Sequence, residues 1–181
     1  EVWRVNPDVV APAVQDVMFR PGGGARPAVK VRFSERVAAS LTAASIELTD
    51  ANGHAVATGP MTIGYDSASD TATFTFIAGL ADGNYHLRVP AEMTSDPSGN
   101  VLGEARMLDF YVLGGDANGD RKVDFNDLVS LAQNYNTTGG KTWVDGDFTG
   151  DGDVDFNDLV VLAQRYNTTL NAPAASPAPE S

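Results

Sequence analysis

Two twelve-residue stretches of the chain carry oxygen-bearing side chains at a spacing that suits a hard metal ion. Positions 1, 3, 5, 9 and 12 hold an acid, an amide or a hydroxyl in both stretches, residues 116–127 and 147–158. Position 7 of such a loop contributes its backbone carbonyl, so its side chain can vary. Without a cation, the crowded carboxylates would repel one another. The predicted ligands of two Ca²⁺ ions are Asp116, Asn118, Asp120, Lys122, Asp124 and Asp127 in the first loop and Asp147, Thr149, Asp151, Asp153, Asp155 and Asp158 in the second.

The two loops belong to an internal repeat. Residues 116–138 align without gaps to residues 147–169, and 17 of the 23 aligned positions are identical, which makes chance similarity untenable. Each loop has EF-hand spacing and leads into a predicted helix that opens at Asn126 or Asp127 in the first copy. Position 6 is Gly152 in the second loop but Arg121 in the first, where a left-handed backbone would cost about 1 kcal/mol. We therefore expect two calcium sites of unequal affinity. The predicted core stripes of the helices are Leu128, Leu131 and Tyr135, and Leu159, Leu162 and Tyr166.

The region before the repeats shows the alternation of apolar and polar residues that is typical of β-strands. Turn-forming clusters of Gly, Asn, Asp and Pro separate the alternating runs, and about seven strands at this length predict an antiparallel sandwich. Residues 12–113 resemble the bacterial immunoglobulin-like domains of exported and surface proteins; the resemblance is strongest in residues 31–36, 40–49 and 96–100. The predicted strands lie at residues 15–19, 29–33, 46–49, 61–65, 73–76, 85–89 and 108–112.

The repeat region lacks the entering helices of ordinary EF-hands and has Asp at position 12 of each loop. A duplicated loop-plus-exiting-helix unit of this kind, across residues 115–169, resembles the type I dockerin family. The resemblance implies a small all-α module that folds around two Ca²⁺ ions and binds a cohesin-like protein domain. The resemblance further implies that this module anchors an exported, polysaccharide-degrading protein in a larger assembly. The partner-binding residues that it implies are Phe125, Asn126, Ala132, Gln133 and Thr137 in the first copy and Phe156, Asn157, Ala163, Gln164 and Thr168 in the second.

The resulting prediction is a multidomain chain without a catalytic residue. It comprises a linker at residues 1–11, an all-β immunoglobulin-like sandwich at 12–114, a type I dockerin at 115–170 and a disordered Pro/Ala-rich tail at 171–181. The net charge of −12 argues against nucleic-acid and anionic-membrane partners, and no apolar run is long enough to insert into a bilayer. His54 and His86 have no Ser or acid pair near them in the sequence, so any catalytic domain is expected upstream. The expected location is extracellular or at the cell surface.

Three alternatives remain open at this stage. The rings of Phe125 and Phe156 could pack into the core of the repeat region instead of facing a partner, because known dockerins have small hydroxyl residues at these positions. The repeat region could be a calcium-stabilised structural module of a surface protein that has no cohesin partner. The sandwich could itself bind carbohydrate or act as a small hydrolase; Trp3, Tyr65 and Tyr85 are the aromatic residues to test for glycan binding.

Overall fold

A computed structural model describes residues 8–21, 26–57 and 59–173 of the chain. The predicted linker residues 1–7, including Trp3, and tail residues 174–181 lie outside the described residues. The first part of the chain is built from β-strands, and each predicted strand is confirmed with its ends shifted by at most two residues. The strands are β1 Val14–Arg20, β2 Ala28–Phe33, β3 Glu47–Asp50, β4 Met61–Asp66, β5 Thr71–Phe76, β6 Gly83–Val89 and β7 Arg106–Val112.

The strands form two antiparallel sheets that enclose one apolar core, which confirms the predicted sandwich. One sheet has the strand order β1-β2-β5-β4 and the other β3-β6-β7. Successive side chains of a strand point to opposite faces of the sheet, and this alternation determines which of them are buried. In β2, Val29, Val31 and Phe33 are at most 2% exposed. Lys30 and Arg32, which lie between them, face outward. Burial of these apolar faces in the common core holds the two sheets together.

The repeat region, residues 115–170, is called the repeat module below. It contains two ten-residue helices, α1 Phe125–Asn134 and α2 Phe156–Arg165. Asp124 and Asp155 cap them, so the predicted opening of α1 at Asn126 or Asp127 is wrong by one or two residues. The reason is a capping box: the Asp124 side chain accepts a backbone N–H of the first turn, and the Asp127 carboxylate accepts the Asp124 N–H. No helix in the described part of the chain has the length and apolar character of a membrane span.

The helices end where the backbone turns left-handed at two equivalent asparagines. Asn136 has φ of 60° and Asn167 has φ of 64°, a region that asparagine tolerates better than most residues. Tyr135 and Tyr166 are the C-caps, with extended ψ, and their side chains are 44% and 41% exposed. Their predicted place in the core stripe is therefore wrong. Each helix ends one residue before its tyrosine, so the tyrosine side chain does not continue the buried face of the helix.

The core of the repeat module lies between the two helices and the two acidic loops. Leu131 and Leu162 are buried as predicted, and Leu128 and Leu159 pack against them with partial exposure. Val123 and Val154, at position 8 of each loop, are fully buried. The buried members of this core are Leu113, Ala117, Val123, Leu131, Phe148, Val154 and Leu162.

Each acidic loop is paired with the segment that follows the helix of the other repeat. Val123 N–H donates to the Thr168 carbonyl at 2.9 Å, and Asn167 N–H donates to the Val123 carbonyl at 2.8 Å. Val154 makes the same two bonds, at the same distances, with Thr137 and Asn136. The two repeats are thus joined by reciprocal backbone bonds, as expected for two copies related by a pseudo-twofold axis.

Candidate functional site

The first acidic loop, residues 116–127, is organised by its first and last carboxylates. Asp116 Oδ1 accepts the N–H groups of Gly119 and Asp120 at 2.8 and 3.2 Å. Asp127, which is fully buried, accepts the N–H of Ala117 at 2.8 Å and that of Asp124 at 2.8 Å. Burial raises the pKa of Asp116, although hydrogen bonds from Tyr111 and the loop backbone oppose this effect. The loop is therefore curled around two buried acids.

The second acidic loop, residues 147–158, repeats this network atom by atom. Asp147 Oδ1 accepts the N–H groups of Gly150 and Asp151 at 2.7 and 3.2 Å. Asp158 is fully buried and accepts the N–H of Phe148 at 2.9 Å and that of Asp155 at 2.8 Å. The bonds persist although the residues differ at positions 2, 3, 6 and 7, so those four side chains do not determine the conformation of the loops.

The middle donors of the loops are more exposed than the acids at positions 1 and 12. Asp120 and Asp151 are exposed and accept the N–H of Lys122 and Asp153 at 2.9 and 3.0 Å. In the described residues, neither loop brings three carboxylates within 4.8 Å of one another. The structure thus brings together the predicted ligands at positions 1 and 12 through one network, but not the complete predicted set. The remaining predicted ligands, Asn118, Lys122, Asp124, Thr149, Asp153 and Asp155, lie along the same loops, exposed or half-buried.

The donor chemistry of the loops nevertheless fits a hard cation. The predicted donors are carboxylate, amide, hydroxyl and backbone oxygens, which Ca²⁺ prefers. None of the ion pairs among the described residues includes Asp116, Asp127 or Asp158, so no Lys or Arg side chain neutralises these buried acids by direct contact. A divalent cation would offset the repulsion between them.

The first residue of each helix is a phenylalanine that projects from the repeat module. Phe125 is 64% exposed and Phe156 is 65% exposed. The alternative that these rings pack into the core of the module is therefore wrong. They lie at N1, directly after the capping aspartate, where the chain turns away from the core. Large apolar side chains at such exposure are suited to contact with another protein.

The other predicted partner-binding residues are also accessible. In the first copy, Asn126, Ala132 and Gln133 are exposed, and Thr137 is half-buried. In the second copy, all of the counterparts are exposed: Asn157, Ala163, Gln164 and Thr168. The helix face that carries these residues is thus available in both repeats.

Two of the three aromatic candidates for carbohydrate binding, Tyr65 and Tyr85, make contacts within the sandwich, and the third, Trp3, lies outside the described residues. Tyr85 is 6% exposed and belongs to the core, and the Tyr65 hydroxyl donates to Asp70 at 2.9 Å. His86 Nδ1 lies 2.7 Å from the Asp109 carboxylate, an acid partner that sequence reasoning missed because it stands on the neighbouring strand. These pairings are cross-strand or local surface contacts of the sheets.

A further acidic group lies in the sandwich, outside the predicted sites. Carboxylate oxygens of Asp8, Glu35 and Asp96 all lie within 4.8 Å of one another. Burial and the charges of Asp8 and Asp96 raise the pKa of Glu35. Asp96 accepts the N–H groups of Ser98 and Asn100, so its position is explained by the turn it closes. No local pattern could have identified the group, since its members are far apart in the chain.

Comparisons with known proteins bear on the sandwich. No curated protein matches the chain. The family model described as a bacterial Ig-like domain matches residues 8–112, which end with β7, and the match does not extend into the repeat module. Domains of this type are non-catalytic and occur in surface or extracellular bacterial proteins. By this match over more than half of its length, the chain belongs to the bacterial Ig-like domain family.

Proposed function

We propose that the repeat module is a calcium-dependent docking module of the type I dockerin kind, which anchors an exported, polysaccharide-degrading protein to a cohesin-like partner. The Ig-like domain would act as its spacer. The observation that carries the proposal is the identical network in the two acidic loops, each closed by a fully buried carboxylate and each followed by a helix with an exposed phenylalanine. Two equal loops with two equal helix faces are expected of a duplicated binding module.

Calcium would be held by the oxygens of the two loops. Asp116 and Asp127 in the first loop, and Asp147 and Asp158 in the second, are the buried donors. Exposed side chains at positions 3 and 5 and the carbonyl at position 7 would complete each set. The metal supplies charge neutralisation and cross-links the start of each loop to the first turn of its helix, so binding and folding are coupled.

Docking would use the helix faces that begin with Phe125 and Phe156. A protein interface is dominated by a few large side chains that are desolvated on binding, and the two phenylalanines are the largest exposed apolar groups of the faces. Because the face residues are identical in the two repeats, rotation by half a turn would present an equivalent surface. The chain could therefore be bound in two orientations.

Calorimetry of the full chain with Ca²⁺ after chelation, together with circular dichroism, tests the metal part of the proposal. We expect one ion for each loop and a loss of helical signal on chelation. Capture by a type I cohesin domain, with and without chelator, tests the docking part. The Phe125→Ala/Phe156→Ala double variant should lose capture, whereas a Val101→Ala/Met107→Ala control, which removes exposed apolar groups from the Ig-like domain, should not.

A second candidate function is a calcium-stabilised structural module without a docking partner. The observation that favours it is the set of polar contacts between the repeat module and the Ig-like domain, such as Arg121 with Asn84 at 2.7 Å. Calcium binding without cohesin capture, and with no effect of the phenylalanine variant on any interaction, would support this candidate. Absence of calcium binding would refute both candidates.

A further inference from the structure

The sixth residue of the first acidic loop differs from its counterpart in a way that its surroundings explain. Arg121 has φ of 70° and Gly152 has φ of 90°, so both loops use the left-handed region at this position. Glycine adopts this conformation freely, but an arginine adopts it only at a cost. The cost must be offset by contacts of the arginine side chain.

The Arg121 side chain contacts the Ig-like domain. Its guanidinium carbon lies 4.1 Å from the centre of the Tyr111 ring, in cation–π geometry. Its Nη1 group donates to Asn84 Oδ1 at 2.7 Å. Tyr111 belongs to β7 and Asn84 to β6, so one residue of the acidic loop contacts two neighbouring strands of the sandwich.

Tyr111 also contacts the loop at a predicted calcium ligand. Its hydroxyl donates to Asp116 Oδ2 at 2.8 Å, and the same oxygen accepts the Arg121 N–H at 2.9 Å. Tyr111 therefore fixes the orientation of the Asp116 carboxylate from the other domain.

A further ion pair joins the domains at this end of the sandwich, and a hydrogen bond holds Gly114, the residue before the repeat module. Asp82, in the turn before β6, accepts the Gly114 N–H at 2.8 Å and pairs with Arg165 of α2. Gly114 packs so closely on Arg165 that an added Cβ would lie 2.6 Å from its Nε atom. The repeat module thus contacts the Ig-like domain through its first loop and through α2.

We propose that the Ig-like domain forms the outer shell of the first calcium site, with Tyr111 as the positioning residue for Asp116 across the domain boundary. The inference rests on the proposed function, because it assigns a role in calcium binding. Outer-shell partners of metal ligands commonly change metal affinity by 10–100-fold. Since coupling is reciprocal, calcium in the first loop stabilises the contact between the domains by the same factor.

The test is a Ca²⁺ titration of the full chain, followed by NMR of ¹⁵N-labelled glycine. Gly119 and Gly150 occupy position 4 of the two loops and report on each loop separately. Tyr111→Phe removes only the hydroxyl, and we expect about tenfold weaker binding in the first loop with the second loop unchanged. Tyr135→Phe is the matched control, because Tyr135 is exposed at the end of α1, and it should change neither loop.

Three results would overturn the inference in different ways. Unchanged affinity of the first loop in Tyr111→Phe would show that the hydroxyl does not position Asp116. An equal loss in both loops would show a general destabilisation instead of an outer-shell effect. If neither loop of the unaltered chain binds calcium, the proposed function and the inference both fail. This result is seen without any substitution, so it is distinguishable from the two results that depend on Tyr111→Phe.

Discussion

Gly146 lies in the segment that joins the two repeats, and one added methyl group tests its close approach to α1. It has φ of 101°, and a Cβ at this position would lie 2.6 Å from Leu131 Cα and 2.9 Å from Leu131 Cβ. Leu131 is buried in α1, so the backbone of the helix or of the turn must move. The left-handed backbone costs about 1–2 kcal/mol and the forced shift about 1–3 kcal/mol. Gly146→Ala should therefore lower the free energy of unfolding of the repeat module by about 2–5 kcal/mol.

Gly140→Ala is the matched control for this prediction. Gly140 has φ of 74°, but nothing lies within 4 Å of its added Cβ, so only the backbone cost applies. Urea denaturation at a fixed calcium concentration, followed by Trp143 fluorescence in a Trp3→Phe background, reports on the repeat module because Trp143 packs against Phe148. If the two glycine variants lose the same stability, the close approach of Gly146 to α1 has no energetic consequence and the reasoning is wrong.

Three other substitutions test separate parts of the structure. Asn167→Ala should lower the free energy of unfolding by about 1 kcal/mol because residue 167 has a positive φ, whereas Asn167→Gly should not lower it. Thermal melts compare the two variants, and equal losses of stability would contradict the backbone argument. Asp158→Asn places an amide donor against an N–H and should cost about 1–3 kcal/mol in urea denaturation, more than the exposed Asp151→Asn. Phe74→Ala should destabilise the sandwich by about 3–5 kcal/mol, as measured by near-ultraviolet circular dichroism during denaturation; a loss below 1 kcal/mol would mean that the site collapses without a cavity.

Local periodicity carried most of what the sequence could predict about the fold. In strand β5, phenylalanines alternate with threonines and face the core. The spacing of the acidic residues identifies the two loops in the sequence. The predicted start of α1 is one or two residues late, because Asp124 is the N-cap and the first helical residue is Phe125. Its exposure follows from the capping box that Asp124 forms just before it, a feature that involves only neighbouring residues and could have been read from the sequence.

Contacts between distant segments were beyond sequence reasoning. Arg121 and Asn84 are 37 residues apart, and no periodic pattern links them. The sequence did mark Arg121 as anomalous, because glycine suits that position, but it could not show that the Tyr111 ring lies beneath the guanidinium. The unusual arginine at this strained position thus indicated a side-chain contact, but only the three-dimensional structure identifies Tyr111 as the partner.

The backbone bonds of Val123 with Thr168 and of Val154 with Thr137 join the two repeats, and they determine how a peptide of one repeat would fold by itself. One repeat contains a loop, a helix and the segment after the helix, but that segment bonds position 8 of the other repeat's loop and not of its own. Two copies of such a peptide would supply both partners through a twofold axis. The duplication therefore corresponds to the covalent joining of two subunits of a symmetric dimer, and a peptide of one repeat should associate in pairs when it folds.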